Sequence, residues 1–201
     1  MRKISARKIQ DAVARLAIEA NLFLREDVLS ALKRAYSKEK VSRAKKILKA
    51  LVENAAIASS EKIPICQDTG MATVFLEVGQ NVIIIGGDLS KTINKGIAEG
   101  YKKGFLRKSV VFDPLLRVNT KDNTPAVIHT KIVPGSKIKI TVAPKGFGSE
   151  NKSITNMFRP TDGADRIERF ILEAVKKAGP DACPPYIIGV GIGGTLDKAC
   201  L

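Results

Sequence analysis

Ala72-Thr73-Val74-Phe75-Leu76-Glu77-Val78 is where the chain stops reading as helix. Its apolar and β-branched residues predict a strand. Before it lies a polar loop, Pro64 to Gly70, and after it Val82–Ile85 repeats the strand signature and closes on Gly86-Gly87. Asp88 then caps a predicted helix over Ile93, Ile97 and Tyr101. Towards the N-terminus the pattern is different. Ile9, Val13, Leu16 and Ala20 recur at helical spacing, as do Val28, Leu32 and Ala35, and then Val41, Ala44, Leu48, Leu51 and Ala55. Breaks fall at Asn21 and at Ser37 to Lys40.

Towards the C-terminus, residues 108–125 are too rich in Pro, Asn and Asp for regular structure. Two strands follow, Ala126–Val133 and Lys137–Ala143. Pro134-Gly135-Ser136 joins them, and the spacing predicts an antiparallel hairpin. A glycine-rich loop at 145–153 leads into a helix over Ile167, Ile171 and Val175, stopped by Gly179-Pro180. Tyr186–Ile192 reads as a buried strand. The pattern predicts an α+β fold: a helical N-terminal region over 1–60, then a mixed α/β region over 61–201 with a β-sheet and flanking helices, as two parts or as one continuous domain.

At 201 residues, 44% hydrophobic and 27% charged, the composition is that of a globular protein with a proper core, not of a disordered tail. No run reaches the ~20 apolar residues of a membrane helix, and the opening residues lack the apolar stretch of a secretory signal. Three cysteines give no disulfide framework. A reducing, cytoplasmic setting is expected. The net charge of +14 suits an anionic substrate, an acidic partner or nucleic acid. More than half of the excess lies in residues 1–60, on the polar faces of helices, and aromatics are only 5% with no Trp. That is poor provision for stacking bases, so nucleic-acid binding is the weaker expectation.

Functional groups concentrate in the loops, where sites usually sit. Cys66-Gln67-Asp68-Thr69 sets a thiol, an amide, a carboxylate and a hydroxyl side by side. Cys183 stands beside Pro184-Pro185, and Cys200 falls in a helical-looking stretch. Taken singly, each thiol reads as an inert buried cysteine or as a soft metal ligand. Their spacing matches neither a zinc finger nor a ferredoxin run. Lys145-Gly146-Phe147-Gly148-Ser149 invites an anion, yet it lacks G-x-x-x-x-G-K-[ST], and Gly191-Ile192-Gly193-Gly194 is not G-x-G-x-x-G. Nucleotide binding is therefore not expected.

Four segments in order carry a resemblance: Cys66-Gln67-Asp68-Thr69-Gly70; Asn119-Thr120 with Asp122-Asn123-Thr124-Pro125; Lys145 to Ser153; and Cys183-Pro184-Pro185 with Gly191-Ile192-Gly193-Gly194-Thr195. Together they resemble the α-subunit, or N-terminal catalytic region, of the class I iron–sulfur fumarate hydratase / L(+)-tartrate dehydratase family. The resemblance implies a [4Fe–4S] cluster held by three cysteines, its open iron serving as Lewis acid in the reversible hydration of fumarate to L-malate. Tartrate is the alternative substrate, and the tricarboxylic acid cycle is the implied setting. Cys66 and Cys183 match two cluster ligands. Asp68 matches the acid that protonates the departing hydroxyl, Gln67 an amide that contacts substrate, and Arg107 the grip on a substrate carboxylate. The Lys145-Gly146 loop is expected to donate backbone N–H groups.

Family α-subunits continue past the Gly-Gly-Thr segment to the third cysteine ligand and a catalytic histidine. This sequence ends at Leu201 and resembles a shortened α-subunit, so those groups are expected from elsewhere. Cys200 is not placed as the third ligand, and His129, the only histidine, is expected to be structural. A β-subunit is the implied partner. A catalytically silent assembly subunit and a basic nucleic-acid-binding module are the competing readings.

Overall fold

The computed structural model describes residues 1–201. Contacts divide the chain into two compact units, Met1–Gly146 and Phe147–Leu201. The first opens with a short strand that periodicity did not announce, β1 (Arg2–Ser5), which runs directly into helix α1 (Ala6–Leu22). Ser5 ends the strand and caps the helix, its Oγ accepting from the Arg7 N–H at 3.2 Å. Helices α2 (Glu26–Lys38) and α3 (Ser42–Glu61) follow, with breaks close to those expected.

β2 (Met71–Gly79) buries Ala72, Val74 and Leu76 on one face, the period-2 signature of a half-covered strand. β3 (Val82–Ile85) leaves it to pair in parallel with β1, Ile4 opposite Ile84. α4 (Leu89–Lys103) begins as expected, the Asp88 carboxylate accepting from the Lys91 N–H at 2.7 Å. It lies tightly against α1. A Cβ at Gly96 would stand 2.7 Å from the Gln10 carbonyl oxygen, and one at Gly100 2.7 Å from that of Ala14. Only the absence of side chains at these two positions permits so close a crossing.

β4 (Val127–Val133) and β5 (Ile138–Lys145) form where the sequence placed them, but the expected hairpin does not. The sheet order is β4-β2-β5, with β2 parallel to β4 and antiparallel to β5. The physical reason lies in the Pro134-Gly135-Ser136 link. The carbonyls of Val133, Gly135 and Lys137 accept from Gln80, Asn81 and Gly79 at 2.8–2.9 Å, so the link wraps the end of β2 instead of closing a tight turn. Ile9, Val13 and Ala17 of α1, the buried residues of β2, and Ile93, Ile97 and Tyr101 of α4 form one core. The helical opening and the strands thus share their apolar interior. His129 stacks on Phe75 of the neighbouring strand at 5.1 Å, the structural role expected of it.

The second unit contains α5 (Phe147–Glu150), α6 (Gly163–Ala178), a 3-10 turn at Gly179–Ala182 and α7 (Leu196–Cys200). α6 and its stop at Gly179 match expectation. Two readings are corrected. The glycine-rich loop at 145–153 contains the turn of helix α5. Tyr186–Ile192 is neither a ladder strand nor buried, with Ile187 80% and Ile192 69% exposed. A strand exists only where a neighbour supplies its hydrogen bonds, and no strand runs beside this segment. No helix is long and apolar enough to cross a membrane.

Candidate active site

The Cys66–Gly70 loop is reached from α3 through Lys62, which turns the chain in the left-handed region at φ 58°. Two bonds tether its start: the Ile65 N–H donates to the Asn21 carbonyl at 2.9 Å, and the Asn54 amide to the Ile65 carbonyl at 2.8 Å. Within the loop, the Cys66 thiol donates to Gln67 Oε1 at 3.4 Å and the Gly70 N–H to Asp68 Oδ1 at 3.1 Å. Cys66 and Gln67 are exposed, whereas Asp68 is half-buried, with Oδ1 turned back to its own loop.

Beneath the loop is a buried polar hub. Thr69, 2% exposed, donates through Oγ1 to the Arg107 carbonyl at 2.9 Å. The Tyr101 hydroxyl donates to the Thr69 carbonyl at 2.7 Å and also lies 3.1 Å from that of Gly70. Asn123 has no exposed surface; its amide donates to the Gly70 carbonyl at 3.0 Å, and its Oδ1 accepts from the N–H groups of Ser109 and Val110 at 2.7 and 3.1 Å. Thr69 and Asn123 therefore stitch the Cys66–Gly70 loop to the segment that carries Arg107, and Tyr101 ties the loop to α4. Gly70 also abuts β5: a Cβ there would stand 2.4 Å from the Lys145 carbonyl oxygen and 2.9 Å from the Gly146 nitrogen. The first unit thus brings together Cys66, Gln67, Asp68, the Arg107 segment and Lys145-Gly146.

Cys183 belongs to the second unit. It is exposed, sits in the left-handed region at φ 57°, and its N–H donates to the Pro180 carbonyl at 3.0 Å. Cys200, at the end of α7, is likewise exposed and unbridged. In chemistry and exposure the thiols suit soft iron. No three Cys, His, Asp or Glu side chains stand together to hold a metal ion.

The sequence assigns no role to Tyr101, and Asn123 stands in a matching segment without one. Tyr101 reads as one more apolar position on a helix stripe, although a buried phenol hydroxyl always demands a partner and could have flagged it. Burial pushes its pKa up from 10.0 to about 12, and the nearby Asp68 charge adds to the effect. The folded state therefore prefers the neutral phenol. Stability from this preference is complete below the unfolded value of about 10 and drains away as pH rises through 12. The alkaline phenolate absorbance of the protein minus that of Tyr101→Phe should show one group titrating about two pH units late, and a difference curve centred near 10 would refute the burial argument.

The sequence model of the fumarate hydratase (Fumerase) family matches residues 10–201, and so covers every segment just described. The chain belongs to that family. Among curated relatives it is 43% identical, over 96% of its length, to a Methanocaldococcus jannaschii protein that carries the provisional name L(+)-tartrate dehydratase subunit alpha, of which it covers 69%. It is 36% identical over 86% of its length to fumarate hydratase 2 of Leishmania major, and 37% identical over 72% to the anaerobic class I fumarate hydratase of Escherichia coli. It spans only 31% and 27% of those two relatives. Hydratases and dehydratases of this kind are hydro-lyases, adding or removing water at a carbon–carbon bond. The family match bears out the expected resemblance, and the helices and mixed sheet of the structure bear out the α+β class.

Proposed function

We propose that this chain is the α-subunit part of a hydro-lyase that interconverts fumarate and L-malate. The observation that supports this most is the Cys66-Gln67-Asp68 loop, its thiol and amide exposed, held from beneath to the Arg107 and Lys145-Gly146 segments. A dicarboxylate needs fixed cations at its ends, and the Arg107 guanidinium gives a bidentate fork for one carboxylate. Lys145 and the Gly146 N–H offer a second anion-binding point. The Gln67 amide, on the residue next to the thiol, is placed to orient a hydroxyl or carboxylate. Asp68 is the proton carrier: as an acid it gives its proton to the departing hydroxyl, and as a carboxylate it takes one from the incoming water.

Cys66 and Cys183 would hold a [4Fe–4S] cluster together with a third ligand from outside the segments described. When bound, the cluster supplies a Lewis acid for the hydroxyl. A β-subunit completes the dicarboxylate site, and the cytoplasm keeps the thiols reduced. The provisional name of the M. jannaschii relative favours a second reading, L(+)-tartrate dehydration, on the same residues.

The test is anaerobic iron–sulfur reconstitution of this chain with its β-subunit, followed by the ultraviolet absorbance of fumarate. Asp68→Asn should lower kcat by ~10²–10⁴ with the cluster spectrum retained. Arg107→Lys should act mainly on KM, and Cys66→Ser should abolish the spectrum. Undiminished turnover in Asp68→Asn or Cys66→Ser would overturn the assignment. Dehydration of L(+)-tartrate without fumarate turnover would select the second reading.

A further inference from the structure

A groove far from these loops in the fold lies where β1, β5 and the start of α1 meet. It has a volume of about 410 Å³, within the range of about 300–1,000 Å³ typical of binding clefts. Its floor includes Ile4, Ile138 and Ile140, and its rim carries Arg2, Lys8 and Lys137. No acidic side chain lines it. Both strands are edges: β1 pairs only with β3, and β5 only with β2. Arg2 Nη1 donates to the Ser136 carbonyl at 3.3 Å, which ties the two strands together at one end of the groove.

An unpaired strand edge is a row of N–H and C=O groups open to another chain, and proteins normally blunt or cover it. Here two such edges flank one apolar hollow. Ile138 and Ile140 are two residues apart and so share one face of β5, the face packed on the core. A strand laid between β1 and β5 would send every second side chain down onto these isoleucines and the others up towards the cationic rim. It would join the β3-β1 pair to the β5-β2-β4 sheet.

We propose that this groove takes an extended segment of a partner protein as an added strand, the segment alternating apolar with acidic residues. Main-chain bonds to the two edges give the affinity, the isoleucine floor selects apolar residues, and the three cations select carboxylates. The chain's net charge of +14 draws the same acidic partner from a distance. About four residues, ~13 Å of strand, match the length of β1. The assignment is independent of the hydro-lyase reading, because it shares no residue with that site.

The probe is a fluorescent, N-acetylated hexapeptide of alternating glutamate and valine, titrated against the full chain by fluorescence polarisation and by amide NMR. Saturable binding is expected, weakening as salt rises, with shifts confined to Arg2–Ser5 and Ile138–Val142. The Arg2→Glu/Lys137→Glu double variant should bind at least tenfold more weakly. Both positions are exposed, and the circular dichroism of the variant is to match the parent's as the check that it is folded. A lysine–valine peptide and a peptide N-methylated at alternate amides should both fail to bind. Equal binding to the double variant, equal binding of the N-methylated peptide, or binding of decanoate without binding of the peptide would each overturn the proposal. The last outcome would mean a small amphiphile site instead.

Discussion

Gly70→Ala is expected to unfold about 6–12 °C below the parent protein and to lose most activity in the reconstituted enzyme. Gly70 sits at φ +65°, where a side chain costs roughly 1–2 kcal/mol by its collision with the following carbonyl. The added methyl would also stand 2.4 Å from the Lys145 oxygen and 2.5 Å from its carbonyl carbon, both backbone atoms of a strand locked in register with Met71. Neither can swing aside as a flexible side chain could. The loop and β5 must separate, and together the two effects reach ~3 kcal/mol, each kcal/mol being worth ~2–4 °C in a chain of this size. The separation pulls Asp68 away from Lys145-Gly146, so kcat should fall further than stability alone explains. Differential scanning calorimetry and fumarate turnover check the two halves. A melting temperature within 1 °C of the parent's would mean that the close approach is not a constraint, an outcome the geometry forbids.

Asn123→Ala is the second large effect, at about 3–5 kcal/mol. The side chain is fully buried and satisfies three backbone groups, the N–H of Ser109, the N–H of Val110 and the carbonyl of Gly70. Alanine leaves all three without their partner away from bulk water, and each orphaned group costs about 1–3 kcal/mol. Asn119, four residues earlier, provides the control. It makes two bonds of the same kind, to the Lys108 carbonyl and from the Lys121 N–H, but it is exposed. Water replaces what it loses, and Asn119→Ala should cost less than about 1 kcal/mol. Urea unfolding of the two variants tests the contrast, and equal losses would show that burial is not what makes Asn123 matter.

Local signals explain what was legible in the chain. Asp88 followed by the Ile93, Ile97 and Tyr101 stripe gives α4, the alternation in Ala72–Val78 gives β2, and Gly179-Pro180 ends α6. What escaped depends on distant partners. β1 is four residues, two of them cationic, that become a strand only because Val82–Ile85 lies alongside. Tyr186–Ile192 has the composition of a strand and no neighbour to make it one. The split of β4 from β5 follows from three hydrogen bonds to the end of β2 that no turn signature encodes. The same division holds at the site. Cys66, Gln67, Asp68 and Arg107 stand out as chemistry on loops. Tyr101 and Asn123, which hold those loops in place, look from sequence like an apolar stripe and an ordinary turn.

The crossing of α4 over α1 reaches further than its own contacts. Gly100 fixes how deeply α4 seats, and Tyr101 is the next residue, so the depth of that seating sets the height at which the phenol meets the carbonyls of Thr69 and Gly70. The setting of the Cys66–Gly70 loop is in this sense gauged by the α1–α4 crossing. A methyl inserted at position 96 or 100 lies in the helix crossing, yet it would raise the platform on which the Cys66–Gly70 loop stands.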